Sequence, residues 1–257
     1  MKIFVAVWVL VGMLLTGTAA AAQPAKPTIV LVHGAFADSS SWYGVITILE
    51  RDDYSVVAAA NPLRSVKGDA DTVRALLASI NTPVVLVGHS YGGMVISNAA
   101  NGQANVKALV YVAAFAPEAG ENAGQLNSKF PGSLVGPALA PVPLPGGGHD
   151  LYVQQEKFHD AFAPDVPADA ARLAAAAQRP VTDIAFSEPA TEPAWKTIPS
   201  WFVYGDRDTA IPPKLHAFMA ERARPRAISV VEGASHVVMI SHSEAVAKVI
   251  EDAATAR

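Results

Sequence analysis

The hexapeptide Gly88-His89-Ser90-Tyr91-Gly92-Gly93 directly follows the wholly apolar run Val84 to Val87. A serine flanked by glycines two residues before and two after it, where a strand passes into a helix, is the pattern of an exposed nucleophile. The turn must be sharp enough to push Ser90 up from the strand end, and side chains at 88 and 92 would clash with it. The helix starting near Gly92 aims its first N–H groups at the place where an attacked carbonyl gathers negative charge. The predicted chemistry is acyl transfer through the serine oxygen. A serine hydroxyl needs an adjacent base to take its proton, and with this elbow the chain order is serine, acid, histidine. His236, in Gly233-Ala234-Ser235-His236-Val237-Val238, sits between the last predicted strand and the last predicted helix and is the candidate base. His242, just before that helix, reads more simply as a surface or capping residue.

The acid must hold the imidazole's tautomer and balance its positive charge. Tyr204-Gly205-Asp206-Arg207-Asp208 follows a predicted strand and offers two carboxylates. Asp206 could instead cap its own turn, and Glu118 is a third candidate; the residues by themselves leave the choice open. An oxyanion hole needs two backbone donors, one from the residue after the nucleophile and one from the loop after an earlier strand. Those are Tyr91 and, in His33-Gly34-Ala35-Phe36, Ala35. His33 and His89 adjoin the site as packing or hydrogen-bonding residues, whereas His149, His159 and His216 show no partner pattern. No spacing resembles a metal site, and the chemistry requires no cofactor.

These residues need a frame. Short β-branched runs alternate with helical patterns, which implies an α/β fold of about six mostly parallel strands with helices on both faces. The expected strands are Thr28 to Val32, Tyr54 to Ala58, Val84 to Val87, Lys107 to Ala113, Trp201 to Tyr204 and Ala227 to Val231. Helices are expected at Trp42 to Glu50, Asp69 to Ile80 and Ser243 to Ala254, the last with Ser243 as N-cap. From about Pro117 to Pro199 the rhythm breaks. This stretch is rich in Pro and Gly at 137–148, then Ala-rich and helical from Ala168 to Gln178. It is too long for a plain loop and reads as an inserted cap, irregular but packed. Phe115, Phe130, Leu134, Tyr152, Phe158 and Phe162 are candidates for an apolar pocket or for ordinary core.

The N-terminus places the chain. Lys2, the apolar run Ile3 to Leu15 and the small residues up to Ala22 have the layout of a secretory signal peptide. Cleavage near Ala22 leaves residues 23–257 as one domain, periplasmic or secreted. With no cysteine, no disulfide staples this exported chain, so packing must supply its stability. A net charge of −4 without a basic cluster argues against a nucleic-acid partner. No later apolar run approaches the ~18 residues of a membrane span, so the mature form is expected to be free of the membrane. The expected partner is a small-molecule ester; the oligomeric state stays open.

His33 to Trp42 (HGAFADSSSW), the Gly88–Gly93 elbow, Tyr111 to Pro117 (YVAAFAP), Gly205-Asp206-Arg207-Asp208 and Gly233-Ala234-Ser235-His236 together resemble the α/β-hydrolase superfamily. More narrowly, the chain is similar to small bacterial carboxylesterase-like members related to plant methyl-salicylate esterases and hydroxynitrile lyases. The resemblance covers nearly all of the mature chain. It implies that Asp208, the second carboxylate of the Gly-x-x-Asp pattern, completes a triad with Ser90 and His236. It also implies that the insert shapes the acyl or alcohol pocket. Hydroxynitrile lyases of this group carry Lys directly after the catalytic histidine and Thr at the place of Gly34. Val237 and Gly34 stand there here, which favours hydrolysis. Lactonase, amidase and cofactor-free haloperoxidase activities are the neighbouring expectations, and a ligand-binding receptor with vestigial turnover is the non-enzymatic one.

Overall fold

The computed structural model describes residues 26–256; the predicted signal segment, residues 1–22, lies outside the described residues. Among the described residues nine strands are present: β1 (Thr28–Val32), β2 (Val56–Ala59), β3 (Val84–His89), β4 (Val106–Val112), β5 (Leu139–Pro143), β6 (His149–Val153), β7 (Val181–Thr182), β8 (Ser200–Gly205) and β9 (Ala227–Val231). Six form one parallel sheet in the order β2-β1-β3-β4-β8-β9. Every residue of β1 and β3 is buried, as expected of central strands covered on both faces. Each fully buried aliphatic side chain there contributes about 1.5–3 kcal/mol. The helices Tyr43–Arg51 and Ser243–Thr255 pack together, as do Val66–Ala78 and Gly92–Ala99, and the two pairs flank the sheet.

Strand order dictates where a site can form. From β1 the chain moves outward to β2, then returns to the other side of β1 as β3. The connections leaving the carboxyl ends of β1 and β3 therefore diverge and open a crevice, the usual ligand position in an open α/β sheet. Because all six strands are parallel, β8 and β9 release their following loops at the same edge of the sheet.

The segment between β4 and β8 carries β5, β6 and β7 as a separate antiparallel sheet, with helices including Gln155–Phe162 and Ala168–Ala177. It lies over the loop-bearing edge. Its Arg179 carbonyl accepts from Phe36 N at 3.0 Å, Thr182 N donates to the Leu63 carbonyl at 3.1 Å, and the Ala161 carbonyl accepts from the Thr209 hydroxyl at 3.1 Å. The Pro- and Gly-rich stretch is more regular than its composition suggests. β5 contains Pro141 and Pro143 yet pairs with β6 alone, so it is an edge strand, where a missing N–H is tolerated. The turn back to β6 runs through Gly147 and Gly148, both at positive φ.

Helix boundaries differ from the sequence expectation by a few residues, and two of the starts have a visible cause. The second helix begins at Val66 rather than Asp69, because Ser65 caps it by accepting from Gly68 N at 3.0 Å. The last helix has His242 rather than Ser243 at its N-cap position, without a side-chain cap, because the short turn Val238–Ser241 runs directly into it.

Candidate active site

Ser90 stands at the end of β3 with φ 54°, a strained conformation for a residue with a Cβ. Its carbonyl accepts from Gly93 N at 3.0 Å and Phe115 N at 3.1 Å, and its own N–H donates to the Val112 carbonyl at 3.3 Å. These bonds to the adjacent strand end and the following helix hold the strain. A Cβ at Gly88 would come within 2.7 Å of the Gly92 carbonyl oxygen, and one at Gly92 within 2.5 Å of the Val32 carbonyl oxygen. The elbow glycines thus serve close backbone approach. Gly34 does the same between the two strand ends, since a Cβ there would lie 2.6 Å from the Ser90 Cβ.

Two backbone donors flank the serine. Among the described residues, neither the Ala35 nor the Tyr91 N–H has an acceptor within the chain, although both residues are buried. The neighbouring Phe36 N–H is occupied by Arg179, and Phe36 itself sits at φ 61°. Tyr91 is anchored at its far end: its hydroxyl donates to Asp69 Oδ2 at 2.9 Å, and Asp69 Oδ1 accepts from Arg64 N at 3.1 Å. Burial raises the Asp69 carboxyl above its ordinary range.

The loop after β8 separates the two aspartates. Asp206 is exposed and accepts from Gly233 N at 2.7 Å, tying two loops together. Asp208 is buried, and its Oδ1 accepts from Ala210 N at 2.8 Å and Ile211 N at 2.9 Å. Its Oδ2 accepts from His236 Nδ1 at 2.8 Å. Burial raises the Asp208 carboxyl, but the imidazoles beside it outweigh that effect and hold it well below the usual carboxylate range. The bond to Asp208 puts the His236 proton on Nδ1, so Nε2 offers its lone pair. Among the described residues, that buried Nε2 has no partner. Glu118 lies apart, paired with Lys196 at 2.5 Å. His242 instead bonds the Ser241 hydroxyl at 2.9 Å.

His89 brings the histidine loop against the elbow. Its ring centroid is 4.8 Å from that of His236, and its Nε2–H donates to the His236 carbonyl at 3.1 Å. Burial lowers its pKa well below the ordinary value, so it remains a neutral donor. His33 is likewise structural: Nε2 accepts from Asn61 N at 3.1 Å while Nδ1 faces the Gly34 carbonyl at 2.9 Å. The insert holds the histidine loop too. Asp165 accepts from Ser235 N at 2.8 Å and from the Ser235 hydroxyl, and the Phe162 ring lies 5.0 Å from the His236 ring.

One residue without a sequence-level partner pattern belongs to this cluster. His216, on the helix Pro213–Ala223, has Nε2 at 2.9 Å from Asp208 Oδ2. The eight-residue separation is no recognised motif; only the fold-back through Pro212 sets the helix over the aspartate. A signal was available. His216 shares the spacing i, i+3, i+4, i+7 with Met219, Ala220 and Ala223, a stripe that must face inward. Asp208, His216 and His236 could in principle share a metal ion, with ligand atoms within 4.8 Å of one another. Both imidazoles, however, stand at hydrogen-bond distance from a single oxygen, so their geometry is accounted for by direct bonds.

Beside the cluster lies a largely apolar cavity of about 240 Å³ between Phe36, Phe162, Val237 and the helix Ala168–Ala177. Phe36 follows Ala35 in the chain and Val237 follows His236. The cavity owes its space to alanines: Ala170, Ala174 and Ala177 of that helix line it. Of the aromatic and apolar insert residues proposed for a pocket, Phe158 and Phe162 line this cavity. Phe130 instead packs on Phe218 at 5.7 Å, and Leu134 is exposed.

Known proteins are similar to this chain in sequence and fold. The alpha/beta hydrolase nvfD of Aspergillus novofumigatus is 27% identical over 251 residues, covering 89% of this chain and 97% of that protein. An alpha-hydroxynitrile lyase of Arabidopsis thaliana is 25% identical over 84% of this chain and 92% of its own length. Among solved structures, polyneuridine aldehyde esterase superposes with a TM-score of 0.75 at 19% identity, over 89% of this chain and 99% of that one. A pyrethroid hydrolase from Sphingobium faniae superposes with a TM-score of 0.71 at 23% identity, over 90% and 98%. Residues 29–249, which hold the sheet, the elbow and the histidine loop, match the alpha/beta hydrolase family, and the chain belongs to it.

Proposed function

We propose that this hydrolase is a serine carboxylesterase working through an acyl-enzyme. Ser90 Oγ attacks the ester carbonyl while His236 Nε2 takes its proton. The alkoxide leaves as His236 returns that proton, and water then repeats the sequence to release the acid. Asp208 holds the imidazole's tautomer and balances the imidazolium. The Ala35 and Tyr91 N–H groups receive the oxyanion. The observation that carries this reading is a buried imidazole, fixed at Nδ1 by a buried carboxylate and free at Nε2, packed against a strained serine elbow. No step calls for a metal or cofactor.

The cavity beside Phe162 and Val237 suits an apolar acyl or alcohol group, since Asp38 is the one charged side chain among the residues lining it. That lining also bears on the hydroxynitrile lyase relative. Cyanohydrin cleavage needs a cation to hold the departing cyanide, whereas the residue after His236 is the buried Val237. Export, with removal of residues 1–22, remains part of the proposal on the strength of the N-terminal composition.

Turnover of p-nitrophenyl esters by the purified mature chain is the test. S90A should remain folded and lose nearly all turnover, and an organophosphonate probe should label the wild type at Ser90 alone. Activity retained in S90A, or labelling elsewhere, removes Ser90 from its role.

A further inference from the structure

Asp208 has four hydrogen-bond donors around it, one more side chain than a triad requires. Oδ1 is filled by two backbone N–H groups of its own turn. Oδ2 is shared by His236 Nδ1 at 2.8 Å and His216 Nε2 at 2.9 Å. Both imidazoles and the carboxylate are buried. His216 cannot be an idle core residue at that distance: a carboxylate accepts only, so its Nε2 must carry the proton. Its Nδ1 then faces inward as a bare lone pair, and among the described residues it has no partner. One ring nitrogen is left unsatisfied, at a cost, so that the other can reach Asp208. The ring is held in register by Tyr204, stacked on it at 4.7 Å with 18° between the planes.

We propose that His216 is a positioning residue for the acid: its Nε2–H fixes the Asp208 carboxylate and draws off part of the negative charge that would otherwise bind the His236 proton. This rests on the esterase reading above. Two donors compete for one oxygen, so each weakens the other's hold. A carboxylate with only His236 as side-chain donor would stabilise the imidazolium more strongly and move the acidic limb of the activity profile to higher pH. His216 itself stays neutral, since burial outweighs the help it gets from the hydrogen bond to Asp208 and from that carboxylate's charge. Among the described residues, the other titratable groups against this cluster are His89, from the end of β3, Tyr204, from β8, and Asp165, which bonds Ser235 beside His236. His89 is neutral and donates to the His236 carbonyl, and burial raises the Tyr204 hydroxyl above its ordinary value, so neither adds charge near neutral pH.

The test is the pH profile of kcat/KM for one p-nitrophenyl ester in wild type, H216Q and H216F. Gln supplies an N–H donor of similar reach; Phe keeps the ring stacked on Tyr204 and removes the donor. H216F should lower kcat roughly 10-fold and move the midpoint of the acidic limb up by about half a pH unit or more. H216Q should restore the wild-type midpoint. A merely structural residue would change the rate without moving that midpoint, so an unshifted H216F, or H216Q shifted equally, overturns the inference. If H216F does not fold, the wild type still decides the matter through its ¹⁵N histidine resonances. His216 should hold the Nε2–H tautomer and remain neutral through the range in which activity titrates. An Nδ1–H tautomer or a titration within that range overturns it. Failure of the esterase reading looks different: wild type inactive, or S90A active, with the His216 tautomer unaffected.

Discussion

Two aspartates on one loop show how environment divides labour between like residues. Asp206 is exposed and spends its carboxylate on Gly233 N, whereas Asp208 is buried and collects four donors. Replacing Asp208 with Asn puts an amide against His236 that favours the wrong imidazole tautomer and removes the charge balancing the imidazolium. D208N should lose roughly 10³- to 10⁴-fold in kcat while staying folded, as measured by steady-state rates alongside circular dichroism. D206N should keep most of its rate and lose a little thermal stability, because only a loop-to-loop tie is weakened. An inactive D206N beside an active D208N would exchange the two assignments. The resemblance already favoured Asp208; burial and the bond to His236 are what separate it physically from its neighbour.

At the scale of elements, the informative piece is the Ala-rich helix Ala168–Ala177. In an isolated helix alanine is chosen for propensity, but Ala170, Ala174 and Ala177 also leave the cavity beside Phe162 empty. A larger side chain at 174 should fill it. A174F is expected to cut kcat/KM about 10-fold or more for esters with long or bulky apolar groups, and to leave p-nitrophenyl acetate within about 3-fold. A substrate panel reads the ratio. Equal losses across the panel would mean the cavity holds no part of the ester, since damage to the chemistry itself is blind to chain length. The insert also grips the histidine loop through Asp165 and Ser235. D165N should therefore lower kcat even though Asp165 lies outside the catalytic cluster, with the acetate and long-chain esters affected alike.

At the scale of the whole molecule, several buried groups tie stability to pH in the same direction. His33, His89 and His216 all have folded-state pKa values below the ordinary histidine value, chiefly through burial. A group whose folded pKa is depressed contributes stability that is present above its unfolded pKa and lost as pH falls through the window below it. For the three histidines that window opens near pH 6.5. Asp208, also depressed, adds the same sign at lower pH, while Asp69, raised by burial, works the other way in the carboxylate range. Thermal unfolding should accordingly show a Tm that holds from about pH 8 to 7 and declines by several degrees toward pH 5. A Tm that is flat or rising over that interval contradicts the neutral, buried histidines. Export is tested on the same scale: intact mass of protein from its native envelope should begin near Gln23, and a retained residue 1–22 segment would make it an anchor.

The sequence by itself determined the six strands of the parallel sheet, the elbow, the histidine loop and the two oxyanion candidates. Each of these is written in local chemistry: apolar runs for buried strands, glycines where backbones must nearly touch, a serine or histidine at a strand end. Ala35, Ser90, Asp208 and His236, distant in the chain, converge because four parallel strands end at one edge, and that convergence follows once the strands are recognised. Other features depend on contacts between segments far apart in sequence. β5 reads as a loop because proline opposes strand pairing in general, yet only the assembled sheet reveals that its one free edge needs no donor. His216 has no motif with Asp208, because a helix folding back onto its preceding loop leaves no fixed spacing. The cavity among the alanines is invisible in composition for a simpler reason: empty space is a property of how surfaces meet, and no residue encodes it alone.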